Sequence, residues 1–112
     1  FGMTISELST AVEHKINTIT IVMNNKSWGA EKAYQKDFFG KRYLGADITS
    51  PSFDKVAELY GAKGFKVKKI SEICEAVRAA IKSNKPSVID VDVDPKALYS
   101  FRRDSFKHRV KK

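Results

Sequence analysis

Short runs of β-branched residues alternate with amphipathic stretches along most of this chain, and that alternation restricts the fold more than any other feature. Thr18-Ile19-Thr20-Ile21-Val22-Met23 is brief and β-branched, which predicts a strand. Gly64-Phe65-Lys66-Val67 predicts a second, and residues 87–93 a third. Before the first strand, Thr4-Ile5-Ser6-Glu7 has the pattern of a capping box, and Ile5, Leu8, Ala11 and Val12 share one helical face. A further helix is expected from Ser50-Pro51, with Phe53, Val56, Ala57 and Tyr60 as its apolar stripe and Gly61 as its stop. Ser71 is the expected cap of another, which would bury Ile73, Ala76, Val77, Ala80 and Ile81. Residues 28–39 form a less regular helix between Gly29 and Gly40, and residues 40–50 carry no period.

Strands that alternate with helices need crossover connections, so the expected fold class is α/β, a mainly parallel sheet with helices packed on it. Within the last strand Ile89, Val91 and Val93 alternate with Asp90 and Asp92, which predicts a place near an edge or a wet surface. The order of elements divides the chain into a folded part, residues 1–95, and a basic tail, residues 96–112.

Charge narrows the partners. The formal net charge is +8, and residues 102–112 contribute +5 of it, so the high pI reports the tail more than the body. Such a tail suits nucleic acid, a membrane surface or anionic metabolites, and equally describes a plain solvated terminus, the simpler reading. No aromatic-interleaved basic patch accompanies it, which counts against a nucleic-acid module. No apolar run nears the roughly 20 residues that span a bilayer, so no membrane partner is expected. Phe1-Gly2-Met3 opens no signal-like apolar stretch, and Cys74 is the lone cysteine; together these predict a cytoplasmic protein. Cys74 reads as a small packed residue rather than a nucleophile, and His14 and His108 lack the neighbours of a zinc site.

The chemistry-bearing candidate is the loop after the first strand, Asn24-Asn25-Lys26-Ser27-Trp28-Gly29-Ala30. In open α/β sheets ligands gather beyond the carboxyl ends of strands. Amide oxygens suit a hard cation such as Mg2+, Gly29 permits close approach of backbone, and N–H groups at a helix start suit a diphosphate. The same composition also suits a plain polar turn.

A helix and an apolar strand closed by the pair Asn24-Asn25 resemble the second part of the thiamine-diphosphate signature, which a Gly-Asp-Gly opens. The chain begins where that Gly-Asp-Gly would end, so the family's metal-binding Asp is expected upstream of Phe1. The resemblance implies a partial thiamine-diphosphate-binding fold with thiamine diphosphate and Mg2+ as cofactors. It implies that Asn25 is a side-chain Mg2+ ligand, that Ser27 offers its main-chain carbonyl, and that Trp28, Gly29 and Ala30 lie beside the diphosphate. Trp28 then either walls the cofactor or anchors the loop.

Trp28-Gly29-Ala30-Glu31-Lys32, Gln35, Asp37-Phe38, Arg42-Tyr43 and Phe101-Arg102-Arg103-Asp104 resemble the sulfoacetaldehyde acetyltransferases within the family. The acetolactate synthases share the pattern at Phe53, Ala57, Gly61, Ala62 and Gly64. The first resemblance implies conversion of sulfoacetaldehyde and phosphate to acetyl phosphate and sulfite, and the second a 2-oxo-acid reaction. Both substrates of the first are anions, so Lys32, Arg102 and Arg103 are candidate contacts; the alternative for the two arginines is structural pairing with Asp104 or a neighbouring subunit. Family membership further implies an activating glutamate on a separate domain and a site formed between subunits. The expected partners are therefore the remaining enzyme domains and a second copy in a homo-oligomer, and residues 1–112 alone are expected to be inactive.

Overall fold

The computed structural model describes residues 1–99. It divides into two compact units, one of Phe1–Asn24 with Ser50–Val93, the other of Asn25–Thr49 with residues 94–99.

The first unit is a three-stranded parallel sheet of β1 (Ile19–Asn24), β2 (Lys63–Val67) and β3 (Ser87–Asp92), in the order β1-β3-β2. The register aligns Ile19 with Ser87 and Asn24 with Asp92 on one side of β3, and Lys63 with Ser87 and Val67 with Val91 on the other. The helices of this unit are α1 (Glu7–Glu13), α3 (Phe53–Leu59) and α4 (Ile73–Ser83), and this α/β arrangement is the expected fold class. Alternation along the strands sorts their side chains into two cores. Val22 and Val88 pack with Leu8, Phe53, Ala57 and Ala62 from the α1 and α3 side. Ile89, Val91 and Val67 pack with Ala76 and Ala80 of α4, with Ile73 and Val77 partly buried beside them.

Local signals at the helix ends mislead in places. Thr4 caps no helix: its hydroxyl bonds the Phe1 carbonyl within a 3-10 turn at Gly2–Thr4, and α1 starts only at Glu7. Ser71 lies inside a second 3-10 turn, Ile70–Glu72, where the Glu72 carboxylate instead accepts the N–H groups of Lys68 and Lys69. The α4 stripe is narrower than its apolar residues suggest, with Ile81 64% exposed, and Cys74 is exposed rather than packed. Gly61 adopts a positive φ of 86° just beyond α3, which any side chain would strain.

The largest departure concerns β3. Its aspartates predicted an edge or a wet face, yet β3 is central and Asp90 is fully buried. Burying a carboxylate is tolerated because both oxygens are satisfied. Asp90 Oδ1 accepts from Asn24 Nδ2 at 3.1 Å, and Oδ2 accepts from the Phe53 N–H and the Lys66 ammonium, each at 3.1 Å. The Lys66 ammonium also donates to Asp92 at 2.5 Å. Burial alone would lower the Lys66 pKa, but these hydrogen bonds and the two negative charges outweigh it and hold it above its ordinary value.

Candidate functional site

The second unit carries the candidate loop. It begins at Asn25, the residue that follows the end of β1, and contains α2 (Gly29–Phe38) before the chain returns at Ser50. Within it the Asn25 side chain folds back along its own backbone. Its Oδ1 accepts the Ser27 N–H at 3.1 Å, the short-range bond by which asparagine builds a turn. Lys26, at the bend, takes a left-handed φ of 54°. This bond fixes the direction of the Asn25 amide oxygen and leaves its second lone pair available.

Two further features bear on whether the residues suit a bound polar group. The Ser27 hydroxyl is buried and, among the described residues, has no hydrogen-bond partner. Such a group is costly unless something completes it. Gly29 sits against the Asn25 amide, where an added Cβ would lie 2.7 Å from Asn25 Nδ2. A side chain there would displace the amide from its place. No side chain caps α2, whose first turn starts at Gly29, Ala30 and Glu31, so its leading N–H groups lack an intrahelical acceptor.

The loop is braced from the segment that the sequence left without a period. Trp28 N–H donates to the Ala46 carbonyl at 2.8 Å, Ile48 N–H to the Lys26 carbonyl at 3.1 Å, and Ser27 and Asp47 form an antiparallel bridge. Gln35 holds Leu44 with both ends of its amide, Nε2 to the carbonyl and Oε1 to the N–H, each at 2.9 Å. Ala33 and Ala46 are the buried apolar residues of this unit. Lys32 is ion-paired with Asp47 and its ammonium lies 5.5 Å from the centre of the Tyr43 ring. Trp28 itself is 56% exposed.

The structure thus brings Asn25, Ser27, Gly29 and the start of α2 into one short loop and places Lys32 on the same helix with Asp47 as its neighbour. Arg102 and Arg103 lie outside the described residues. Sequence reasoning missed Ala46, Asp47 and the Gln35 clasp, because residues 40–50 have no repeat or hydrophobic period to betray them. It read Asp90 as the mark of an edge and missed its burial and its pairing with Lys66, its partner in register on β2.

An α/β domain whose first strand leads into an Asn-bearing loop and an uncapped helix has its candidate loop where open α/β sheets bind ligands, beside a helix start of the kind that suits anions. The comparisons resolve the class. Residues 1–91 match the family model of the thiamine pyrophosphate enzyme C-terminal TPP binding domain, and the chain belongs to that family. It is 35% identical over 115 residues to a sulfoacetaldehyde acetyltransferase of Alcaligenes xylosoxydans xylosoxydans, covering 99% of this chain and 19% of that protein. It is 33% identical to the mitochondrial acetolactate synthase catalytic subunit of Saccharomyces cerevisiae, over 86% of this chain and 14% of that one. Among solved structures, the thiamine diphosphate-dependent 4-hydroxybenzoylformate decarboxylase of Rhodococcus jostii RHA1 matches with a TM-score of 0.76 and 27% identity, over 83% of this chain and 18% of that chain. The chain therefore spans about a fifth of the length of the first relatives it matches. Among the described residues no helix is long and apolar enough to cross a membrane.

Proposed function

We propose that this chain is the diphosphate- and Mg2+-holding part of a sulfoacetaldehyde acetyltransferase, which converts sulfoacetaldehyde and phosphate to acetyl phosphate and sulfite. The observation that carries the reading is the Asn25 amide, turned by the Ser27 N–H and backed by Gly29, on a chain 99% of which aligns at 35% identity with 19% of such an enzyme. Asn25 Oδ1 and the Ser27 main-chain carbonyl supply oxygen ligands of the kind Mg2+ prefers. The N–H groups at Gly29 and Ala30, beside Trp28, receive the diphosphate at the positive end of α2. When bound, thiamine diphosphate supplies the carbon nucleophile for the reaction.

The residues of this chain bind and orient. Lys32, steadied by Asp47, and Arg102 and Arg103 in the basic tail contact the sulfonate or phosphate. Glu31 in the first turn of α2 matches the helix dipole, a structural role. Residues 1–95 act as the cofactor-binding part and residues 96–112 are its basic tail. The remaining enzyme domains and a second copy of the chain complete the site in the cytoplasm, so turnover belongs to the complete oligomer.

The test is made on the full-length chain that carries this segment. Magnesium-dependent binding of thiamine diphosphate by calorimetry, with sulfite release from sulfoacetaldehyde in the presence of phosphate, is the expected result. Asn25→Ala should weaken Mg2+-dependent cofactor binding about tenfold or more, the scale on which metal-site residues act. A wild-type chain that binds no cofactor would end the reading. A second reading, an acetolactate synthase-like 2-oxo-acid enzyme, draws on the 33% identity to the yeast catalytic subunit. Pyruvate turnover without sulfite release would select it.

A further inference from the structure

The candidate loop belongs to an excursion, Asn25–Thr49, that leaves the first unit after Asn24 and rejoins it at Ser50. Both stems of that excursion meet the same buried group. Asn24, the last residue before it, donates its side-chain N–H to Asp90 Oδ1 at 3.1 Å. Phe53, the first residue of α3 just after it, donates its backbone N–H to Asp90 Oδ2 at 3.1 Å. Asp90 is fully buried in the central strand, where an apolar residue would ordinarily sit.

Core packing alone does not call for an acid at this position. Replacing a buried ion pair with packed apolar groups is often neutral or favourable, because the charges lose their water. A carboxylate offers something that no apolar side chain does, namely two acceptor oxygens in a fixed plane, one for each stem. An amide cannot substitute, since one of its two heads donates rather than accepts. We infer that Asp90 is a positioning residue, which pins both stems of the excursion and so fixes the chain direction into Asn25. The inference rests on the reading of residues 25–30 as the cofactor loop. Lys66 balances the charge, its ammonium reaching Asp90 Oδ2 and Asp92.

The experiment compares three variants in the full-length protein: Asp90→Asn, Asn24→Ala and Ile89→Val. The last is a loss of core packing on the adjacent residue of the same strand, whose side chain points to the other core. Two quantities are read, the Mg2+-dependent affinity for thiamine diphosphate by calorimetry on the apo-protein, and the rate of proteolytic cleavage within residues 25–49. Asp90→Asn should weaken the affinity about tenfold, the scale of outer partners of a metal site, and speed cleavage. Asn24→Ala, which removes the side-chain bond of one stem only, should show both effects to a smaller degree. Ile89→Val should lower the unfolding midpoint and leave both quantities at their wild-type values.

Equal affinity and equal cleavage in Asp90→Asn and wild type would overturn the assignment. So would an Ile89→Val protein that loosens the excursion as much as Asp90→Asn does. If Asp90→Asn does not fold, Asn24→Ala decides alone, and wild-type behaviour there also overturns it. A wild type that binds no cofactor removes the cofactor-loop reading, and the cleavage comparison then still decides whether Asp90 pins the stems.

Discussion

The two units of this molecule are held together by different physics. The sheet unit is built on apolar burial, with Val88, Ile89, Ala57, Ala80 and Val67 at or near zero exposure and helices on both faces. The unit around α2 buries chiefly Ala33 and Ala46, both small, together with Ser27. It holds its shape through polar bonds: the Gln35 clasp on Leu44, the Trp28 to Ala46 and Ile48 to Lys26 bonds, and the Lys32–Asp47 pair. A buried methylene is worth about 0.8 kcal/mol and an exposed ion pair about 0–1 kcal/mol, so the second unit opens at much lower cost than the first. Segments of low local stability are the ones available to order around a ligand. The candidate loop lies in the softer unit.

The sharpest way to break this contrast is to damage the hard unit where it tolerates no change. Gly64 in β2 lies so close to α3 that an added Cβ would fall 2.0 Å from the Asp54 carbonyl oxygen, and the atom in the way is backbone. Gly64→Ala should therefore force α3 off the sheet and cost about 3 kcal/mol, the upper end of overpacking losses, read as a fall in the denaturation midpoint. An unchanged midpoint would mean that the α3 side of the sheet is as compliant as the α2 unit.

A change in the soft unit should behave otherwise. Gln35→Ala removes two hydrogen bonds to Leu44, each of 2.9 Å. At roughly 1 kcal/mol per bond the local loss is about 1–2 kcal/mol. It should appear as faster amide exchange at Leu44, with the global midpoint almost unmoved. A drop in the midpoint as large as that of Gly64→Ala would show that the units unfold as one.

How much of this was legible in the sequence follows the same division. β1 and α4 were readable because their signals are local: a β-branched run at residues 18–23, and apolar residues at helical spacing that include the buried Ala76 and Ala80. The position of β3 was not, because strand order is a non-local property. An acid in a strand reads as wet unless its partners are known, and those of Asp90 are 66, 37 and 24 residues away. At the candidate site, the place of Asn25, Ser27 and Gly29 was legible, since a short turn is encoded by its own residues. The bracing by Ala46 and Asp47 was not, since bonds such as Trp28 N–H to the Ala46 carbonyl use main chain, which leaves no mark on residue type. Likewise Ile81 was misassigned to the core because helical periodicity gives a face but not the width of what covers it.

The smallest expected effect concerns a polar joint inside the hard unit. Where β2 passes into α4, the Glu72 carboxylate accepts the backbone N–H groups of Lys68 at 2.9 Å and Lys69 at 3.1 Å. These two hydrogen bonds lower the Glu72 pKa below its ordinary 4.5; slight desolvation opposes them, and the charges of Lys69 and Lys68 assist. Because the folded value lies below the unfolded one, the stabilisation is complete above pH 4.5 and fades as pH falls through the lowered value. Glu72→Gln keeps the side chain's length and one acceptor oxygen but cannot ionise. The variant should therefore unfold at a slightly lower midpoint than wild type at neutral pH, and the two curves should converge on acidification below pH 4.5. A gap that stays constant across that range would mean that the joint depends on the shape of the side chain and not on its charge. The hard unit would then owe its stability at that corner to packing, as it does elsewhere.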